Sequence, residues 1–175
     1  MQTQSRVVTA AVALVGLVTI ASCGQAPAPT EPAAPANPLH GVWSMSKMTP
    51  GGGGTTIDPS QPGLFIFTEG HYSAVYSLGS EPRPRSATSF NPTSEEKVAQ
   101  FDTIIVNTGI YDVSGPTITF RPLVARSPEF IGGQSMMDFQ IDGDVLTLKV
   151  QSVVNADGTS AADAPGSLMT LRHVE

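Results

Sequence analysis

The chain has 175 residues, room for one ordinary domain. It carries 9 Lys+Arg against 15 Asp+Glu, a net charge of −6, which leaves no basic footprint for nucleic acid and no polybasic patch for a membrane surface. Charged residues are only 14% of the chain, beside 17 Gly, 15 Pro and one Cys; this mix excludes a helical bundle and an internal disulfide, and suits an all-β domain rich in turns.

In chain order, residues 1–22 read as an export signal. A short polar stretch carries Arg6, and an apolar run of about fourteen residues follows over 7–20; it falls short of the roughly 20 needed to span a bilayer and suits a signal-peptide core. The run ends Ile20-Ala21-Ser22-Cys23, which resembles the lipobox of bacterial lipoproteins. That resemblance implies lipid on the Cys23 thiol and cleavage just before it. The processed chain then holds eight basic residues against fifteen acidic ones, a charge of −7, because Arg6 is the only charged residue removed. Residues 23–38 follow as a disordered Ala/Pro-rich tether with no apolar pattern. At about 3.1 Å per residue in polyproline-like conformation it reaches roughly 45 Å. Gly24 stands where an aspartate is associated with inner-membrane retention in enteric bacteria, so the expected location is the cell envelope, at the outer membrane on its periplasmic side where the cell has one.

Residues 39–175 read as one β domain. Strands are predicted at 41–48, 63–68, 71–77, 109–113, 117–124, 134–141, 144–150 and 167–174, separated by turn residues. Glu69-Gly70 and Asp142-Gly143 mark hairpins. Leu146, Leu148 and Val150 alternate with Thr147 and Lys149, as Ile118 and Phe120 do with Thr117, Thr119 and Arg121; such patterns belong to sheets with one buried face. Eight antiparallel strands close most economically into a barrel, with a two-sheet sandwich as the competitor. One short helix interrupts the series. Thr93-Ser94-Glu95-Glu96 fits a capping box, and Val98, Phe101 and Ile105 recur at helical spacing. The stripe predicts a helix that plugs or packs against the barrel, or a lid over a ligand mouth.

Three stretches together resemble the bacterial lipocalin-like domain family. They are Gly41-Val42-Trp43; Pro62-Gly63-Leu64 with Thr68-Glu69-Gly70-His71-Tyr72; and the run from Thr108-Gly109-Ile110-Tyr111 through Thr117-Ile118-Thr119-Phe120 to Asp142-Gly143-Asp144-Val145-Leu146-Thr147-Leu148. The resemblance covers nearly all of 39–174 and implies an eight-stranded antiparallel lipocalin-like β-barrel. It also implies an arginine on the last strand beside the first-strand tryptophan, so Arg172 is expected to cover Trp43 and close the barrel end. The T-D-W-type motif of better-known lipocalins is missing, and their ligand residues do not carry over.

No catalytic residue stands out. His40, His71 and His173 lack metal-ligand spacing, and Asp142-Gly143-Asp144 offers fewer oxygens than a calcium loop needs; neither metal nor cofactor is expected. There is no G-x-S-x-G, phosphate-binding loop or dinucleotide fingerprint. Glu69, His71, Arg121 and Arg126 are the groups an acid–base enzyme would use, against the plainer reading of solvated loop residues. Phe65, Phe67, Tyr72, Tyr76, Tyr111, Phe120, Met136 and Phe139 are candidates for the wall of an apolar cavity, or for a solid core. The leading expectation is an envelope lipoprotein that binds a small apolar or amphipathic ligand, membrane-attached only through its lipid. A cyclase- or isomerase-type enzyme and a structural or interaction lipoprotein with a solid barrel are the alternatives.

Overall fold

Alternating strands joined by tight turns pair with their neighbours, and here they close on themselves. In the computed structural model, which describes residues 37–59, 61–162 and 164–175, eight antiparallel strands form a closed barrel in sequence order. They are β1 (Gly41–Thr49), β2 (Gly63–Phe67), β3 (His71–Ser77), β4 (Ile104–Ser114), β5 (Thr117–Ala125), β6 (Gln134–Asp142), β7 (Val145–Val154) and β8 (Leu168–His173). β1 pairs with both β2 and β8, so the barrel has no free edge and the sandwich arrangement is ruled out. The export signal, Cys23 and the tether through residue 36 lie outside the described residues.

The two ends of the barrel differ because their connections differ. The turns β2–β3, β4–β5 and β6–β7 all fall at one end, with the start of β1 and the end of β8. Asp142 pairs with Val145, so the β6–β7 turn is Gly143-Asp144, one residue later than the sequence suggested. Gly143 has φ 54° at the first central position, where a type II′ hairpin places glycine. Leu39, fully buried, plugs this end. The Leu39 carbonyl accepts from Trp43 Nε1 at 2.8 Å, and Asn37 Nδ2 donates to the Tyr111 hydroxyl, which donates on to the Thr68 carbonyl. The polar tips of two large aromatics are thus satisfied where the barrel is most tightly closed.

Arg172 does not cover Trp43. Strand alternation turns Leu171 inward and Arg172 outward, where it is exposed beside Ser44 and Val145. His173 is the residue that meets Trp43, edge to face at 4.7 Å between ring centroids.

β4 and β7 run further than their composition suggested, β7 reaching Val154. β4 starts at Ile104, directly after the helix, because residues 104–110 pair with β3 along its whole length. β5 continues through Pro122, where the register with β4 slips between Thr108 and Gly109 and leaves Leu123 without an opposite residue. A bulge tolerates the missing proline N–H. Gly109 lies opposite, and a Cβ there would run into the Arg121 carbonyl and the Leu123 amide.

The helix α1 (Ser94–Asp102) forms with its capping box complete: Thr93 Oγ1 accepts from Glu96 N at 3.2 Å, and Glu96 Oε2 accepts from Thr93 N at 2.8 Å. It buries none of its residues, so it neither plugs nor packs into the barrel. Val98 and Phe101 are 60% and 53% exposed, and Ile105, the third member of the apolar stripe, belongs to β4. Polar contacts hold the helix instead. Arg83 donates to Gln100 O and Thr103 Oγ1, and Arg126 donates to the carbonyls of Phe101 and Asp102 while lying over the Phe101 ring. Both cations sit at the negative end of the helix dipole, which has no basic residue of its own in the last turn.

Candidate functional site

Inward positions follow from period two along each strand. Toward the closed end they carry the large rings: Phe67 meets Tyr111 edge-on at 5.4 Å, Tyr72 meets Phe120 edge-on at 4.6 Å, and Phe65 stacks on Tyr76 at 5.6 Å. With Trp43, Met45, Ile118, Leu146, Leu148 and Leu171, all of these but Tyr76 form a filled core, and Tyr76 packs against it toward the open end. Toward the other end the inward residues become smaller or flexible: Met48, Ser135, Met137, Val150, Met169. These do not fill the barrel.

The result is a cavity of about 250 Å³ at the open end, roofed by Leu78, Phe130, Val153, Val154, Ala164 and Ser167 from the loops and strand ends. Below it a chamber of about 50 Å³ reaches the aromatic floor of Phe65, Tyr72 and Phe120. An apolar cavity of about 150 Å³ already holds benzene, and ligand pockets start near about 300 Å³, so this space suits a small molecule. A groove of about 420 Å³ also lies outside the barrel, between residues 83–90, Gln61 and Gln100. It is shallow, and its Arg83 is already committed to the helix carbonyls.

Of the eight residues expected at a cavity wall, Tyr76 lines the main cavity, and Phe65, Tyr72, Tyr76 and Phe120 line the inner chamber. Phe67 and Tyr111 lie in the filled core, with Phe139 packed against its edge. Met136 faces outward, 37% exposed, because Ser135 and Met137 occupy the inward phase of β6.

The polar groups are few. Asn107, Gln134, Ser135 and Ser167 line the main cavity, and Asn107 and Ser135 also line the inner chamber, so these two stand at the neck between them. Asn107 Oδ1 accepts from the Tyr72 hydroxyl at 2.6 Å. Burial holds the Tyr72 hydroxyl well above the ordinary tyrosine range, so it stays protonated and donates. Burial pushes Tyr76 up to about 12, an effect that the Arg126 charge offsets in part. Sequence reasoning missed Asn107, because it lies ahead of the strand assigned at 109–113 and asparagine is a poor strand former. The signal that locates it is the inward phase of Asn107, Gly109 and Tyr111.

The groups an acid–base enzyme was expected to use lie elsewhere. Glu69 and His71 are exposed at the closed end, beside the β2–β3 turn. Arg121 pairs with Asp112 on the outer face, and Arg126 caps the helix. Among the described residues no Asp, Glu, Lys, Arg or His lines either chamber. Among the described residues no three His, Cys, Asp or Glu cluster as a metal site.

No curated protein matches the chain. A family model for a lipocalin-like domain matches residues 40–172, from the residue before β1 to the penultimate residue of β8. With a closed eight-stranded antiparallel barrel and three-quarters of its length inside that match, the chain belongs to the lipocalin-like domain family.

Proposed function

We propose that the barrel binds a small, mainly apolar molecule in its open half. The observation that supports this most is the contrast along the barrel axis: rings fill the closed half, whereas an apolar cavity of about 250 Å³ remains in the other. Three methionines, Met48, Met137 and Met169, line it, and their flexible thioethers adapt to differing shapes. Titration with N-phenyl-1-naphthylamine should give saturable fluorescence enhancement at one site per chain. Met137→Trp, which fills the cavity, should weaken it at least tenfold. A dye that stays dark, with no co-purified small molecule in native mass spectrometry, would count against binding.

We further propose that the domain works in the cell envelope, lipid-anchored through Cys23 and hung on residues 23–38, on the periplasmic side of an outer membrane where the cell has one. Support comes from Ile20-Ala21-Ser22-Cys23 and the Ala/Pro stretch after it. Asn37 and Leu39, where this stretch joins the domain, are fixed at the closed end of the barrel. Cells fed an alkyne-bearing fatty acid should label the protein, and Cys23→Ser should abolish the label; a label that survives contradicts the anchor.

A further inference from the structure

We propose that Asn107, with Ser135 across the neck, is the polar anchor of the cavity and selects an uncharged ligand whose apolar body carries a hydrogen-bond acceptor oxygen, such as a ketone, aldehyde or ester, at its inner end. This rests on the binding reading above and adds the chemical class of the ligand.

Orientation of the amide is the first argument. The Asn107 side chain points inward from β4 and lines both chambers. Its oxygen is occupied by the Tyr72 hydroxyl at 2.6 Å, and the opposite orientation would set the amide NH2 at that hydroxyl, leaving its proton without an acceptor. With the oxygen so engaged, the Nδ2 donor is the end of the amide left to serve a ligand in the chambers that Asn107 lines. A donor placed in an apolar wall carries an unfavourable desolvation that a ligand oxygen relieves. Ser135 lines the same neck from β6, and its hydroxyl can donate to the same oxygen.

The second argument is the lack of formal charge. Among the described residues no lysine or arginine lines either chamber to receive a carboxylate, and no aspartate or glutamate to receive an ammonium group; the Arg126 charge that acts on the Tyr76 hydroxyl is engaged by the carbonyls of Phe101 and Asp102. An unpaired ion in either chamber would be strongly disfavoured. The rest of the wall is mainly apolar, with the uncharged side chains of Gln134 and Ser167 toward the mouth, and suits an apolar body.

The test compares three competitors of similar length, 2-decanone, 1-decene and decanoate, in displacing N-phenyl-1-naphthylamine from the full chain at neutral pH. The ketone should bind about three- to tenfold more tightly than the alkene, the advantage of one net hydrogen bond, and decanoate should compete worst. Asn107→Leu should bring the ketone-to-alkene ratio close to one. Because that variant strips Tyr72 of its acceptor, Asn107→Leu combined with Tyr72→Phe provides the same comparison without an orphaned hydroxyl. Infrared spectra should show the bound ketone carbonyl stretch displaced to lower frequency in the native chain and restored in both variants. A bound dye with no ketone advantage, or an advantage that survives in the double variant, overturns the anchor while leaving ligand binding intact. Decanoate as the best competitor overturns the uncharged class. A dye that the native chain never binds removes the binding reading itself, and the anchor with it.

Discussion

Gly109 shows how one residue lets the barrel carry a proline. The bulge at Thr108/Gly109 brings β4 against the backbone of residues 121–123, and a Cβ at Gly109 would meet the Arg121 carbonyl, the Leu123 amide and Pro122 Cα, none of which can swing aside. Gly109→Ala should therefore destabilise the fold by about 2–3 kcal/mol, at the upper end of overpacking costs. The single tryptophan, Trp43, buried at the closed end of the barrel, is a built-in reporter for denaturant unfolding. A cost below about 0.5 kcal/mol, typical of a surface change, would mean that the strands separate easily at this point. The sequence places Gly109 at the start of one strand, 109–113, and Pro122 within another, 117–124. Only the pairing of the two reveals a longer strand, and the same shortfall hid Asn107, two residues upstream.

At the level of elements, period-two alternation made the strands legible: Leu146, Leu148 and Val150 are inward as their spacing requires. The helix was legible in its cap and misread in its face. Thr93 and Glu96 fix the first turn through local bonds that sequence spacing can specify. Val98, Phe101 and Ile105 match a helical period by coincidence, because the chain turns into β4 before Ile105. The cap makes a prediction about acid. Backbone amides of Ala87 and Thr93 donate to the Glu96 carboxylate and hold its pKa below the ordinary 4.5. A lowered folded value means that the stabilisation is present above the unfolded pKa and is lost as pH falls through the folded one. Amide-exchange protection at Ala87 and Thr93 should accordingly decline in acid, and Glu96→Gln should flatten that dependence. An unchanged acid profile in the variant would assign the effect to another carboxylate. Since the helix buries nothing, the loss should be local to residues 87–102 and leave the barrel folded.

Across the whole molecule, the barrel divides into a filled half and a hollow half, and the three tyrosines report on that division. Tyr72, Tyr76 and Tyr111 are the only tyrosines in the chain. Burial raises each of them above the ordinary 10.0, Tyr76 to about 12. Groups whose folded pKa is raised favour folding fully below the unfolded value and lose that contribution as pH rises toward the folded one. Stability should thus fall from pH 10 upward, and tyrosinate absorbance should appear together with unfolding rather than before it. A separate titration near 10 in the folded chain would show an accessible hydroxyl. Sequence alone indicated eight strands and favoured a barrel over a sandwich; the closed order β1 to β8 is seen only in the structure. Nor did sequence show where the interior is empty, because that depends on which of two adjacent residues takes the inward phase, as with Met136 and Met137, and on loops whose shape no pattern encodes.

The chain's methionines offer the most direct test of a ligand in the hollow half. Met48, Met137 and Met169 line the cavity, Met45 lies in the filled core, and Met136 faces solvent. With methionine methyl groups labelled by carbon-13, titration of N-phenyl-1-naphthylamine should shift the Met48, Met137 and Met169 signals through the ring current of the bound dye. The Met45 and Met136 signals should stay in place. Shifts confined to Met136, or no shift at any cavity methyl under saturating dye, would contradict a binding cavity inside the barrel.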